Sequence, residues 1–598
     1  MPGPKRIVLC SDGTGNTAGK GRGTNVWKVY EAVDTHGHRD DPGLTEQVAF
    51  YDDGVGTEQI KAVKLLTGAF GIGLKRNVLD LYTALCRSYQ PGDEIYLFGF
   101  SRGAFTVRTL AGLITECGII DTARYGTDQE LKGLVGEAYR SFRKHFPSFW
   151  TRCLGGVQGL FIALRRRLGK KARSSANAHP RHAALRLRGK EACDTFRGRC
   201  SVVHDRHAPD GKVRIRFIGV WDTVDAIGLP FDDRIGCLNP VTFPSCNLSE
   251  QVDVARHALS IDDERQTFHP VMWDETDETS DRIQQVWFAG VHSNVGGGYP
   301  KQGMSLVPLD WMMTEAAQAE RCPHETGGTD AGESGLRFIP ALRASYHERQ
   351  NVHDKLYDSR SGLACFYRYK PRDIPAICAQ HGLQTRIHAS VFRRIGLATE
   401  GYAPGNLGLP FHVAPDHEQL PRTIADSLEK EAPDMDQAPA KYRAPLLAVA
   451  SRRIALRRRL HGVFLSMTVI LLLHPLVQPL LDRYRIAHPE ADVMSVRTWV
   501  GMIQAVCDAA TDWTAIAAWL WHLLAGMLLA ILGALQDPLT TLCSVVRRVC
   551  SAPAHVHHLT VWLMPLLIVL YVAGLLARRS MVRTFSRFWR QTLPRPWW

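Results

Sequence analysis

None of the fourteen cysteines falls in a C-x-x-C pair or at zinc-site spacing, which argues against a structural zinc or a dithiol redox centre. Cys193 with Cys200, or Cys237 with Cys246, are the pairs that a bridge would use. Free thiols packed as small hydrophobes are the simpler reading. No glycine-rich loop ends in G-K-[ST], so the chain has no P-loop for nucleotide phosphates. No signal-type apolar stretch opens the chain, because Met1-Pro-Gly-Pro-Lys-Arg6 runs straight into a short strand-like Ile7-Val-Leu-Cys10. Export is therefore expected to leave the N-terminus uncut. No recognised nucleic-acid-binding motif accompanies the basic charge of the chain.

The 598 residues are 45% hydrophobic and 22% charged, a foldable composition long enough for more than one unit. A net charge of +13 suits anionic partners such as phospholipid headgroups. Residues 140–216 hold twenty Lys and Arg against four acids, Glu191, Asp194, Asp205 and Asp210. Phe146, Phe149, Trp150 and Phe161 are interleaved before Arg165-Arg-Arg167. Three readings stay open for this stretch: a lid or surface resting on anionic lipid, a solvated and partly disordered loop over 170–199, or a nucleic-acid-binding segment.

The rest of the chain is organised around Glu94-Ile-Tyr-Leu-Phe-Gly-Phe-Ser-Arg-Gly-Ala-Phe. An apolar run of buried-strand length turns through Gly99-Phe-Ser-Arg-Gly103 and continues as a helix-compatible run to Ile114. Strand, G-x-S-x-G, helix is the context of a nucleophile elbow. A Cβ at either glycine would crowd the strand or the helix. The turn thrusts Ser101 out above the sheet, at the positive end of the following helix, where a developing oxyanion is favoured. The alternative is a plain structural turn.

Two more strand ends carry chemistry. Residues 213–220 read as a buried strand ending at Trp221-Asp222, where a hydrolase of this kind places the acid that orients its histidine. The alternative is an Asp capping a turn. Residues 284–290 read as another strand, running into Val291-His292-Ser-Asn-Val-Gly-Gly-Gly-Tyr299, and a histidine on such a loop suits a general base. The order Ser101, Asp222, His292 is the one hydrolases of this fold use. His388, in Ile387-His-Ala-Ser390, is a reserve base. The loop Ser11-Asp-Gly-Thr-Gly-Asn16 after the first strand either offers backbone N–H groups at Asp12, Gly13 or Thr14 to an oxyanion, beside that of Arg102, or is a tight turn.

Residues 24–33 read as helix-like, 47–51 as a strand, 74–89 as a helix with Val78, Leu81, Tyr82 and Leu85 on one face, 252–259 as helix-like and 306–319 as a helix. Residues 416–450 read as a linker. The tail changes character: residues 462–481, 514–535 and 559–577 contain no Asp, Glu, Lys or Arg. Two or three transmembrane segments are expected there, with 462–481 re-entrant or interfacial as the alternative. Arginine-rich flanks favour two spans as a hairpin. A hydrophobic helical bundle is the soluble alternative.

Leu9-Cys-Ser-Asp-Gly-Thr-Gly-Asn16, Thr24-Asn-Val26, Asp53-Gly-Val-Gly-Thr57, Gly99-Phe-Ser-Arg-Gly-Ala104, Gly219-Val-Trp-Asp-Thr-Val224 and Trp287-Phe-Ala-Gly-Val-His-Ser-Asn-Val-Gly-Gly-Gly-Tyr299 together resemble the α/β-hydrolase domain of type VI secretion lipase effectors. The likeness runs over about 5–410, with an insertion near 140–212. It implies an α/β fold of mostly parallel sheet, with a hydrolase domain from 1–139 and 213–415. The basic insertion 140–212 and the hydrophobic helical membrane region expected at 451–598 come from composition and are not assigned by the resemblance. The likeness implies a serine esterase acting on phospholipid acyl chains, with Ser101 as nucleophile, Asp222 as acid, His292 as base, and neither metal nor organic cofactor. Expected partners are a phospholipid membrane, a secretion-spike or adaptor protein and a cognate immunity protein, with no nucleic acid. The type VI route would deliver it to the periplasm or membrane of a target cell. Asn294 departs from the Asp expected in its loop, which puts a charged role there in doubt. Rival readings are a membrane-anchored esterase or thioesterase on a smaller substrate, and a non-catalytic scaffold or pore former.

Overall fold

The structure is a computed structural model. It describes residues 3–13, 23–53, 70–145, 180–224, 247–319, 335–414, 452, 454–468 and 554–592, apart from breaks at 126, 206–209, 279, 362–363, 366, 398 and 408–410. The chain forms two compact units, Met1–Ala450 with Val582–Trp598, and Ser451–Met581.

Eight strands make the sheet of the first unit: β1 (Arg6–Ser11), β2 (Gln47–Asp52), β3 (Glu94–Phe100), β4 (Ile215–Trp221), β5 (Val252–Ser260), β6 (Ile283–Phe288), β7 (Arg386–His388) and β8 (His412–Ala414). Their order is β2-β1-β3-β4-β5-β6-β7-β8, and every neighbouring pair is parallel. A parallel sheet is covered on both faces, so its strands read as continuous apolar runs. Alternate side chains then go to opposite layers. Ile7, Leu9, Ile95 and Leu97 pack on one face with α2 (Phe70–Ser88), α3 (Arg102–Cys117), α4 (Asp128–Phe142) and the end of α5 (Pro180–Arg199). Val8, Cys10, Tyr96 and Phe98 pack on the other with α1 (Asn25–Ala32) and α7 (Gly303–Ala317). Between α5 and α7 in the chain lies the short α6 (His292–Gly296). The strand order reverses between β1 and β3, the kind of switch point where open α/β sheets place ligands.

The α/β class and the mostly parallel sheet are as expected. Two expectations are corrected. Residues 252–259 are strand, not helix: Val252–Ser260 pairs with β4 and β6. Its charges misled the pattern, because each is buried with a partner. Asp253 meets Arg214 at 2.6 Å and Arg216 at 3.3 Å, and Arg256 meets Glu315 at 2.5 Å. Second, the region 170–199 is not wholly a solvated loop. Helix α5 occupies its end, and Cys193 and Phe196 are fully buried in the core. Cys193 and Cys200 are both free.

The membrane segments expected in the tail fall largely outside the described residues. Among the described residues no helix is long and apolar enough to cross a membrane. The segment 514–535 lies outside the described residues, as do 469–481 of the first expected span and the linker. The segment 559–577 falls inside one helix, α9 (Ala554–Thr592). The C-terminal end of that helix belongs to the α/β unit, where Phe585 fills the space beside Gly405 and Trp589 Nε1 donates to the Pro404 carbonyl at 2.6 Å.

Candidate active site

Ser101 joins β3 to α3 with φ 58° and ψ −119°. A non-glycine residue in that region carries about 1–3 kcal/mol of strain, held only where the surroundings over-determine it. Here they do. A Cβ on Gly99 would stand 2.6 Å from Ala104 Cα, and one on Gly103 would stand 2.0 Å from the Ser11 carbonyl oxygen. The helix therefore lies directly on the ends of β1 and β3. The Ser101 N–H donates to Trp221 O at 3.0 Å, which ties the turn to the end of β4. Serine at the first position of a helix usually caps it. This one makes no side-chain capping bond, so its hydroxyl is not spent on the helix.

Asp222 follows β4, also at positive φ (40°), and is fully buried. Its Oδ1 accepts from Ser260 N at 3.0 Å and from Arg372 Nη1 at 2.6 Å. Its Oδ2 accepts from Ser260 Oγ at 3.1 Å and Arg372 Nη2 at 2.8 Å, and stands 2.6 Å from His292 Nδ1. Burial opposes the charge. The Arg372 guanidinium and His292 outweigh it and hold the Asp222 carboxyl well below the usual range.

His292 opens α6, just past β6. Its ring lies between Phe100 and Phe268, with centroids 4.6 and 5.0 Å away. Its backbone N–H donates to Asp263 Oδ2 at 3.3 Å, and Arg265 holds Asp263 at 2.7 Å while lying 3.3 Å over the Phe268 ring. With Nδ1 fixed by Asp222, Nε2 is buried and has no hydrogen-bond partner among the described residues. The arrangement leaves one imidazole nitrogen oriented by a carboxylate and the other unengaged, with the ring against Phe100, the residue before Ser101.

The described parts of the Leu9–Asn16, Thr24–Val26 and Trp287–Tyr299 stretches meet here. Asp12 is buried and accepts from Thr24 Oγ1 at 2.6 Å and Tyr51 OH at 2.7 Å. Asn25 donates to the carbonyls of Val295 and Ser305, both at 2.8 Å, clamping the far end of the His292 loop. Of the expected oxyanion donors, Arg102 stands in the first turn of α3, where backbone N–H groups lack an intrahelical acceptor. Against expectation, Asp12 N–H is taken by Asp52 O at 3.1 Å and Gly13 N–H is directed at Asp12 Oδ1, 2.6 Å away. Thr14 lies outside the described residues. His388 is placed apart from the acid: it caps α8 (Ala389–Gly396), its Nδ1 receiving Ser390 N at 3.3 Å. Asn294 uses both ends of its amide, donating to Lys355 O at 3.1 Å and accepting from Tyr357 N at 3.3 Å. An Asp could not donate that first bond.

Sequence reasoning missed Arg372, Ser260, Asp263 and Arg265. The last three sit at or just past the end of β5, the strand misread as helix. Arg372, in Lys370-Pro-Arg-Asp373, carries no periodicity or motif that points to Asp222.

The strained serine turn at the switch point, with the carboxylate just past β4 and the histidine just past β6, two strands over, resembles the arrangement of an α/β-hydrolase site. Residues 5–315, just over half of the chain, match the catalytic domain of the Tle1-like phospholipase effectors of type VI secretion systems, and the chain belongs to that family. An uncharacterized protein of Saccharomyces cerevisiae is 27% identical over 277 residues, 44% of this chain and 32% of the relative. The chain thus spans about a third of that relative's length. Two solved structures are similar at low overlap. One is an uncharacterized protein from Pseudomonas aeruginosa (16% identity, 67% of this chain, 53% of that one, TM-score 0.29). The other is the Tle1 effector bound to the VgrG spike of the type 6 secretion system (14%, 50%, 51%, TM-score 0.24).

Proposed function

We propose that the protein is a serine-dependent phospholipase, of the A type, delivered by the type VI route as an antibacterial toxin. The observation that carries this is the 2.6 Å contact between His292 Nδ1 and Asp222, with Nε2 left unpartnered. His292 takes the proton of Ser101 as the serine oxygen attacks the acyl ester carbonyl, and Asp222 holds the tautomer and faces the imidazolium that forms. The Arg102 N–H and one from the Asp12–Asn16 loop stabilise the oxyanion. The lysophospholipid alcohol leaves with the proton from His292, and water releases the fatty acid from Ser101.

The tail serves access rather than chemistry. Ile568, Val569, Val572 and Leu576 of α9 are exposed, and Arg578-Arg579 follows them. In our reading this apolar stripe and the basic charge bring the enzyme onto anionic lipid. A spike or adaptor protein and an immunity protein complete the proposed partners, on family membership.

The test is fatty-acid release from phosphatidylethanolamine and phosphatidylglycerol vesicles by wild type and Ser101→Ala. Loss of the nucleophile is expected to cut release by about 10³-fold or more. Equal release by both proteins would make the elbow structural. Turnover of short-chain esters without vesicle hydrolysis would replace the phospholipase by an esterase.

A further inference from the structure

Arg372 is wholly buried and lies beyond residue 315, where the family match ends. It makes four bonds with two nitrogens. Nη1 reaches Asp222 Oδ1 at 2.6 Å and the Ser260 carbonyl at 2.5 Å. Nη2 reaches Asp222 Oδ2 at 2.8 Å and the Phe268 carbonyl at 2.5 Å. A guanidinium is flat and its donors are fixed in direction, so a two-toothed grip sets the plane of the carboxylate as well as its place. The two carbonyls hold the guanidinium in turn. They come from the end of β5 and from the residue whose ring packs on His292, so the grip is braced from both sides of the site.

We propose that Arg372 is a positioning residue for the hydrolytic reaction, which fixes the carboxylate of Asp222 toward His292 Nδ1 and offsets the charge that His292 feels. The inference rests on the Ser101, Asp222, His292 reading above. A carboxylate already paired with a guanidinium attracts a proton to the neighbouring imidazole less than a lone carboxylate does. Four other charged or titratable groups stand close by. Asp263 and Arg265, past β5, neutralise each other at 2.7 Å. His257 on β5 accepts from Thr223 N at 3.1 Å, and burial pushes it down to about 3. His269 faces the Lys370 carbonyl, and burial lowers it to about 4. None of these replaces the positive charge that Arg372 places on Asp222.

The experiment compares wild type, Arg372→Lys, Arg372→Met and Ser101→Ala as full chains, on a water-soluble short-chain ester, across pH, with thermal unfolding of each. The acid limb of kcat/KM reports protonation of the essential base. Arg372→Met frees the carboxylate's charge, so that limb is expected to move up by about one pH unit, with kcat/KM at the optimum down by about tenfold or more. Arg372→Lys keeps a charge but loses the fork. Its limb is expected to stay in place while kcat falls by about tenfold at unchanged KM. If Arg372→Met does not fold, the kcat and KM split of Arg372→Lys decides. A limb unmoved in Arg372→Met, with activity lost only in step with thermal stability, reduces Arg372 to a structural ion pair and overturns the proposal. So do folded variants within about threefold of wild type. Should Ser101→Ala hydrolyse the ester as wild type does, the triad reading fails and Arg372 falls with it. Should Ser101→Ala be inactive while the limb stays put, Arg372 fails alone.

Discussion

Two neighbouring strands each deliver a histidine into the start of a helix. His292 opens α6 after β6, and His388 caps α8 at the end of β7. In sequence the two look alike in one respect: an apolar residue, a histidine, then a polar residue two positions on. In space that later residue separates them. Ser390 turns back and sits 2.8 Å from His388 Nδ1, whose ring stacks on Phe288 with centroids 4.5 Å apart. Asn294, also buried, takes Val291 N, Lys355 O and Tyr357 N instead of the imidazole, and His292 Nδ1 is left for Asp222. A histidine at a strand end becomes a candidate base when its own helix does not claim it and a nearby strand end supplies an acid, here β4, two strands from β6.

The largest effect that would break this comparison is a swap of roles. His292→Gln is expected to reduce phospholipid hydrolysis by about 10³-fold or more, since a nucleophile without its base keeps only binding and oxyanion stabilisation. His388→Gln is expected to stay within about threefold of wild type and to lose only its cap, about 0.5–2 kcal/mol of stability. Fatty-acid release and urea unfolding on both variants measure this. An inactive His388→Gln with an active His292→Gln would reverse the assignment.

Asp222→Asn sharpens the contrast by removing the acid while keeping its shape. Hydrolysis is expected to drop by about 10²–10⁴-fold, because an amide cannot hold the tautomer or face an imidazolium. Stability should fall too, by about 3–5 kcal/mol, because the buried Arg372 is left without its counter-charge. The sign of the pH effect follows. Asp222 titrates below its unfolded value of about 3.9, so its contribution is present above that pH and is lost as pH falls through the lower folded value. Unfolding measured from pH 5 down to pH 2, with protein-free controls, is therefore expected to show a steeper loss in wild type than in Asp222→Asn (about 3–5 kcal/mol at the outset converging toward acid).

What was legible in the chain was local. Ser101, Asp222 and His292 each end an apolar run at a turn, and a strand end is a feature that neighbouring residues announce. The glycines of the elbow announce it twice, since neither position has room for a Cβ. Arg372 had no such signal. Its partner lies 150 residues away, and only the folded sheet brings them together. Strand β5 was hidden for a related reason: Asp253, Arg256 and His257 look like a solvated helix face until Arg216, Glu315 and Gln285 are seen to satisfy them. In α5, Cys193 and Phe196 were too sparse among arginines to suggest that this part of the basic stretch belongs to the core.

The smallest test asks whether Asn294 matters for shape or for charge. Its amide donates to Lys355 O and accepts from Tyr357 N, so it pins the 355–357 segment beside the His292 helix. Asn294→Asp keeps the acceptor and loses the donor, and it sets a carboxylate oxygen against a carbonyl. The cost is expected to be about 1–3 kcal/mol, read by thermal or urea unfolding. Hydrolysis should stay within about tenfold of wild type, because Asp222 and not residue 294 meets Nδ1. A gain in activity would mean that a charge at 294 helps the imidazole, and that the engagement of this side chain away from the ring is not what sets His292 apart from His388.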